Sequence, residues 1–162
     1  EKRFETSISF SFQNVRSGTN ISSTNFLIAP RMDVFVHEGL EIEPEIVLLK
    51  PDKGDVLYMM NGNIAYNFLN AGRGVPFLLF GYGITNALSL FNLPLVDYGF
   101  SLGVLNLGGG VKAFVADNVA VRIEYRFQKF NGENSQTSGS FTSQQKVDVQ
   151  MHTIQAGFSV LL

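Results

Sequence analysis

Polar and apolar residues alternate along most of this chain. The alternation is cleanest over residues 108–127, GGGVKAFVADNVAVRIEYRF. Val119, Val121, Ile123, Tyr125 and Phe127 fall on one face, and Arg122, Glu124, Arg126 and Gln128 on the other. A period of two is a strand signature. Residues 111–115 are also strand-like, and Ala116, Asp117 and Asn118 supply a short turn, since Asp and Asn tolerate left-handed backbone. The stretch reads as a β-hairpin with one apolar and one charged face.

The rest of the chain follows the same rule. Phe4, Thr6, Ile8, Phe10 and Phe12 oppose Glu5, Ser7, Ser9, Ser11 and Gln13. Residues 14–24 are polar and turn-rich and predict a loop. Phe26, Ile28, Pro30, Met32, Val34 and Val36 then oppose Asn25, Arg31 and Asp33, ahead of a tight turn at His37, Glu38 and Gly39. Leu40, Ile42, Pro44, Ile46 and Leu48 oppose Glu41, Glu43 and Glu45. Tyr58, Met60, Ile64, Tyr66 and Phe68 oppose Asn61, Asn63 and Asn67. Residues 76–87 form the most apolar strand, with Gly81 and Gly83 placed inward and Phe80, Tyr82 and Ile84 outward. Residues 88–98 read as an apolar loop and 99–115 as the sixth strand. Residues 131–146, NGENSQTSGSFTSQQK, are the most polar segment and predict a mobile loop. In the last strand, 147–162, apolar positions are odd through Met151 and even from Ile154, which predicts a bulge near His152 and Thr153. Pro30 and Pro44 lie inside neighbouring strands. Proline removes a ladder donor, so a bulge or a lost hydrogen bond is expected where these strands meet.

The pattern predicts about eight antiparallel strands in one domain, residues 1–162, and leaves open which face is inside. A soluble barrel buries its apolar face. Here that face carries large residues on nearly every strand, too many for the narrow interior of an eight-stranded barrel. The opposite face is rich in Ser, Asn, Gly and charges of both signs, which suits a crowded interior better than a solvated surface. The expected architecture is therefore an all-β, eight-stranded, up-and-down transmembrane barrel, apolar outside and polar inside. Phe4, Phe12, Phe26, Tyr58, Phe68 and Phe77, near strand ends, are candidates for aromatic girdles at the membrane interfaces.

Composition narrows the function. The chain has no cysteine, so it has no disulfide framework and no thiolate metal site. A net charge of -2 and the lack of a basic stripe argue against nucleic acid as a partner. No apolar run approaches the roughly 18 residues of a membrane helix, which leaves strands as the way across.

The segments PRMDVFVHEGLEIEPEIVLL, VPFLLFGYGI, LGGGVKAFVADNVAVRIEYRF and HTIQAGFSVLL together resemble the outer-membrane β-barrel family, in the eight-stranded form of the transmembrane domain of outer-membrane protein A. The likeness spans nearly the whole chain. It implies a bacterial outer-membrane location after removal of a signal peptide, outer-membrane lipid as surroundings, both ends and three short turns on the periplasmic side, and four connections outside the cell. One departure is Leu162 at the last position, where family members usually carry an aromatic residue.

Candidate chemistry lies mainly on the polar face. Inward charges in this phasing are Arg3, Arg31, Lys112, Arg122 and Arg126 against Glu5, Asp33, Glu41, Glu43, Glu45 and Glu124. This near balance favours an internal network over a selective channel, which would carry one sign in excess. Glu43 and Glu45 are expected to meet Arg122 and Arg126 across the axis, with Glu124, Lys112, Arg31 and Glu41 completing the network. The Glu41, Glu43, Glu45 row alone is weak evidence for calcium, since arginine partners account for it. Gly108, Gly109 and Gly110 lack the Lys-Ser/Thr of a phosphate loop and lie within a strand. No cofactor or metal is expected. His152 would approach Ser9 or Ser11, with Asp148 nearby, if the last strand closes on the first. That pair is the basis of an alternative reading as a lipid-modifying hydrolase, although no motif supports it. A soluble lipocalin-like ligand-binding barrel is the second alternative. The favoured reading is a non-enzymatic barrel with a plugged polar lumen, acting in envelope structure, adhesion or partner anchoring. Its partner would meet the outer loops or the lipid-facing wall, and Leu90, Phe91, Leu93 and Leu95 form the candidate contact loop.

Overall fold

A computed structural model describes residues 4–17, 21–51, 56–69, 72–85, 102–138 and 141–162. Eight strands run in chain order: β1 (Phe4–Ser17), β2 (Ile21–His37), β3 (Leu40–Pro51), β4 (Leu57–Asn67), β5 (Gly74–Thr85), β6 (Leu102–Ala116), β7 (Val119–Ser138) and β8 (Phe141–Leu161). Each pairs antiparallel with its neighbours, and β1 pairs with β8 to close a barrel. Closure leaves the membrane-facing ladder without a free edge, as a spanning β structure requires.

The faces sort by parity. Ile42, Ile46, Tyr58, Met60, Ile64, Leu78, Phe80, Tyr82, Ile123, Tyr125 and Phe158 are exposed on the outside. Glu5, Arg31, Asp33, Glu41, Glu43, Glu45, Lys112, Arg122, Glu124 and Arg126 are buried inside. The barrel is thus inverted relative to a soluble one, which removes the lipocalin-like alternative: its apolar wall faces outward, toward a solvent that must itself be apolar. Glycines help to make room within. A Cβ on inward-facing Gly81 would meet the Asn63 side chain, and one on Gly110 would run into the Ile123 carbonyl.

The turns follow local chemistry. Glu38 and Gly39 close β2 onto β3, with Gly39 at φ 74°, a left-handed value at which glycine carries no Cβ penalty. Asp117 and Asn118 close β6 onto β7. These turns, the end of β4, the start of β1 and the end of β8 lie at one end of the barrel, where Asn67 N–H donates to the Gly39 carbonyl, Leu161 N–H to that of Asn118 and Leu162 N–H to that of Phe4.

Several expectations are corrected. Residues 131–146 are not a loop, because β7 and β8 stay paired out to Ser138 and Phe141. Residues 14–24 likewise belong largely to the β1–β2 ladder, which runs to Ser17 and Ile21. Backbone pairing needs no apolar side chains, so these polar hairpins gave no hydrophobic signal. The bulge near His152 and Thr153 is also absent, since the β7–β8 register is continuous from Val119↔Val160 to Ser138↔Phe141. Met151 points inward and packs on buried apolar residues, which explains the apparent change of phase. Phe77 is not a girdle residue: it shares the inward parity of Gly81 and Gly83 and is buried, opposite Gly110. At the prolines, the β2–β3 ladder pairs Ile28 with Leu48, Arg31 with Glu45 and Val34 with Ile42 and passes over Pro30 and Pro44. Its register shifts only beside the turn, between Phe35 and His37, so the prolines interrupt pairing without a bulge.

Candidate functional site

The interior is layered along the barrel axis, and the register sets the layers. Inward positions on β3 climb from the turn as Glu41, Glu43, Glu45, Val47 and Leu49. Those on β7 climb as Ala120, Arg122, Glu124, Arg126, Gln128 and Phe130. In an eight-stranded ring these two strands stand on opposite walls.

The middle layer is a charge network. Arg122 donates to both oxygens of Glu43, Nη1 to Oε1 at 3.0 Å and Nη2 to Oε2 at 3.1 Å. Its Nε donates to Glu124 Oε2 at 3.0 Å. Arg126 reaches Glu45 through Nη1 and Glu124 Oε1 through Nε at 2.6 Å. Arg31 binds Glu45 Oε1 at 2.6 Å, Glu124 Oε2 at 3.2 Å and Gln155 Oε1 at 2.7 Å. Asn61 donates to Glu45 at 2.8 Å. Arg126 and Glu43 are 0% exposed and Arg122 1%, so desolvation is complete. Charges so buried are tolerable only when paired with good geometry, and a bidentate Arg–carboxylate contact supplies it.

Lys112 sits lower, nearer the turns. Its Nζ donates to Glu5 Oε2 at 3.0 Å and Glu41 Oε1 at 2.7 Å. It stands 5.7 Å from the centre of the Phe35 ring and 5.9 Å from that of Phe77. The Arg122 guanidinium lies 4.3 Å from the centre of the Phe77 ring, a cation–π contact in a water-poor setting. Phe77 thus serves as an aromatic partner for two cations.

Above the charges, Gln128 donates to Asn106 at 2.8 Å. Beyond these, toward the long hairpins, the lumen turns apolar. Leu27, Ala29, Val47, Leu49, Leu57, Met59, Val104 and Phe130 form one buried cluster, with Met151 packed against it. Sequence reasoning missed this layer. The available signal was that all these residues have inward parity and sit at the outer ends of their strands.

The eight candidate network residues, Arg31, Glu41, Glu43, Glu45, Lys112, Arg122, Glu124 and Arg126, are brought together inside the barrel. Gln155, Asn61, Asn106, Gln128, Glu5 and Asp33 join the same interior. Leu90, Phe91, Leu93 and Leu95 lie outside the described residues. The proposed encounter of His152 with Ser9 or Ser11 does not occur. With no bulge to change parity, His152 faces outward, while Ser9 and Ser11 are buried in the lumen. Ser11 Oγ donates instead to the Ile154 carbonyl at 2.7 Å. His152 Nδ1 lies 2.6 Å from the Tyr125 hydroxyl, and its ring packs 5.2 Å from that of Phe127. It is part of an aromatic cluster on the outer wall.

Among solved structures, neisserial surface protein A (NspA) superimposes with a TM-score of 0.71 at 16% identity, covering 98% of this chain and 97% of that one. The N-terminal β-barrel domain of Pseudomonas aeruginosa OprF gives a TM-score of 0.64 at 10% identity, covering 99% and 98%. The fold is that of the eight-stranded outer-membrane barrels. The likeness concerns fold alone at these identities. No family model and no curated protein matches the sequence.

Proposed function

We propose that the chain is an integral outer-membrane barrel without catalytic activity. Its interior is a structural plug, and its external hairpins and lipid-facing wall carry its role in envelope structure, adhesion or anchoring of a partner. The observation that carries this reading is the stacking of two barriers in one lumen. Arg122 and Arg126 bind Glu43 and Glu45 from wall to wall, and a packed apolar cluster lies above them. A permeating ion would have to break buried charge pairs and then cross a dry layer. A conducting pore instead keeps a wetted path lined by charge or carbonyl groups.

The exposed apolar wall and the shared fold support this location. The turn end faces the periplasm in this reading, and the β1–β2 and β7–β8 hairpins face outward. Outer connections, including residues 86–101 with their run of leucines and Phe91, are the candidate partner surface. The test is reconstitution of the purified protein into planar bilayers, paired with labelling of intact cells carrying an epitope inserted between Ser138 and Phe141. Steady ion-selective current sinks the plug. A tag accessible only after lysis sinks the orientation.

A further inference from the structure

Among the described residues, charges in the lumen do not balance: four basic side chains (Arg31, Lys112, Arg122 and Arg126) and six carboxylates (Glu5, Asp33, Glu41, Glu43, Glu45 and Glu124) are buried inside. The three arginines are engaged with Glu43, Glu45 and Glu124. Glu5, Asp33 and Glu41 are left with Lys112. One oxygen from each of the three carboxylates lies within 4.8 Å of the others. Lys112 occupies one oxygen of Glu5 and one of Glu41. Glu5 Oε1, Glu41 Oε2 and both oxygens of Asp33 are buried without a hydrogen-bond partner.

Asp33 is the decisive residue. It is 0% exposed, and neither of its oxygens is hydrogen-bonded. Arg122 Nη1 stands 4.0 Å from Asp33 Oδ2, beyond hydrogen-bond reach, and already serves Glu43. Asp33 also lies directly opposite Glu5 in the β1–β2 ladder, where like charges repel. A buried carboxylate in this position requires a positive partner or loss of its charge.

We propose that Glu5, Asp33 and Glu41 bind one divalent cation of the hard, oxygen-seeking class, with calcium the best fit. Four unshared carboxylate oxygens supply the donors. Carboxylate donors without nitrogen or sulfur select calcium, magnesium or manganese over zinc and copper. Calcium accepts irregular geometry and mixed mono- and bidentate carboxylates, whereas magnesium demands near-ideal octahedra and keeps its waters. One divalent ion also cancels the excess of two negative charges counted among the described residues. Glu41 is the second residue of β3, two positions after the Gly39 turn, so the site lies on the turn side of the arginine layer. The inference is independent of whether the lumen conducts.

The experiment uses the full chain folded in detergent micelles and stripped with EDTA. Calcium is titrated by calorimetry, and thermal unfolding is followed by circular dichroism. Wild type should bind calcium saturably, one ion per barrel, and its unfolding temperature should rise with calcium. Asp33→Asn should remain folded, and in EDTA it should unfold no earlier than wild type, because repulsion with Glu5 is relieved. Its calcium affinity should fall about tenfold or more. Glu38→Gln, which alters an exposed turn carboxylate, should keep the full calcium response. Absence of saturable calcium, magnesium or manganese binding to wild type would overturn the site, as would unchanged calcium affinity in Asp33→Asn. An infrared carboxylic-acid band that persists in saturating calcium would also overturn it, in favour of neutralisation by protons.

Discussion

Arg122 on β7 holds Glu43 on β3 through two parallel hydrogen bonds, at 3.0 and 3.1 Å, from one wall of the barrel to the opposite one. The contact ties together strands far apart in sequence, and it does so in an interior where neither charge meets bulk solvent. Removing one partner of such a pair leaves the other stranded. The network also shares partners, because Glu124 contacts Arg31, Arg122 and Arg126.

Arg126→Ala is therefore expected to destabilise the barrel by about 3–5 kcal/mol. Glu38→Ala, in the exposed turn, should change stability by less than about 0.5 kcal/mol. Urea unfolding from lipid vesicles measures both. A cycle that adds Glu45→Ala should show strong coupling with Arg126→Ala, since the two side chains are in direct contact.

The outer wall gives a different kind of test. Ile123 is 57% exposed and stands between inward-facing Arg122 and Glu124. Ile123→Arg should cost about 2–4 kcal/mol if its height is near the midplane of the bilayer. Denaturant titration in liposomes would reveal it, and an unchanged midpoint would contradict the lipid-facing assignment.

Gly110 is pressed against the β7 backbone. A Cβ there would collide with the Ile123 carbonyl and crowd the Glu124 Cα. Gly110→Ala should lower stability by about 1–3 kcal/mol through forced displacement of the strand pair. Gly74→Ala, where a Cβ would meet only the Val111 side chain at 3.9 Å, should be far milder. Thermal melting of the two variants side by side decides this.

Much of this arrangement was legible in the chain, and the reason is the exact twofold period of a strand. Once Arg122 and Arg126 are placed inward, Ile123 and Tyr125 must face outward, and a single register carries the pattern through each strand. Parity also located Glu43 and Glu45. What parity could not reveal was where a strand stops once it leaves the apolar layer. Asn131 to Ser138 stays in ladder with the start of β8 through backbone bonds, which are blind to side-chain polarity. The pattern also misled where the lumen itself becomes apolar. The odd apolar positions Val147, Val149 and Met151 suggest a change of phase and hence a bulge, yet Met151 packs on the inner cluster and the register is continuous. The same error placed His152 near Ser9 and Ser11. Phe77 fits a girdle by the same pattern, although its ring lies 4.3 Å from the Arg122 guanidinium inside the lumen. That the buried Asp33 oxygens lack a hydrogen-bond partner was invisible in the sequence, because it depends on which carboxylates the arginines reach.

Extended hairpins make the β7–β8 tip the natural place for surface display. A short epitope between Ser138 and Phe141 should leave folding intact, since it lies far along the ladder from the charged layer. It should bind antibody on intact cells.

Conductance of the reconstituted wild-type barrel is the most direct test of the interior. With Arg122–Glu43 and Arg126–Glu45 bridging the lumen beneath the cluster of Leu27, Leu49, Met59 and Phe130, planar bilayers should show no steady current above the lipid background. A stable, ion-selective current from folded wild-type protein would contradict the plug.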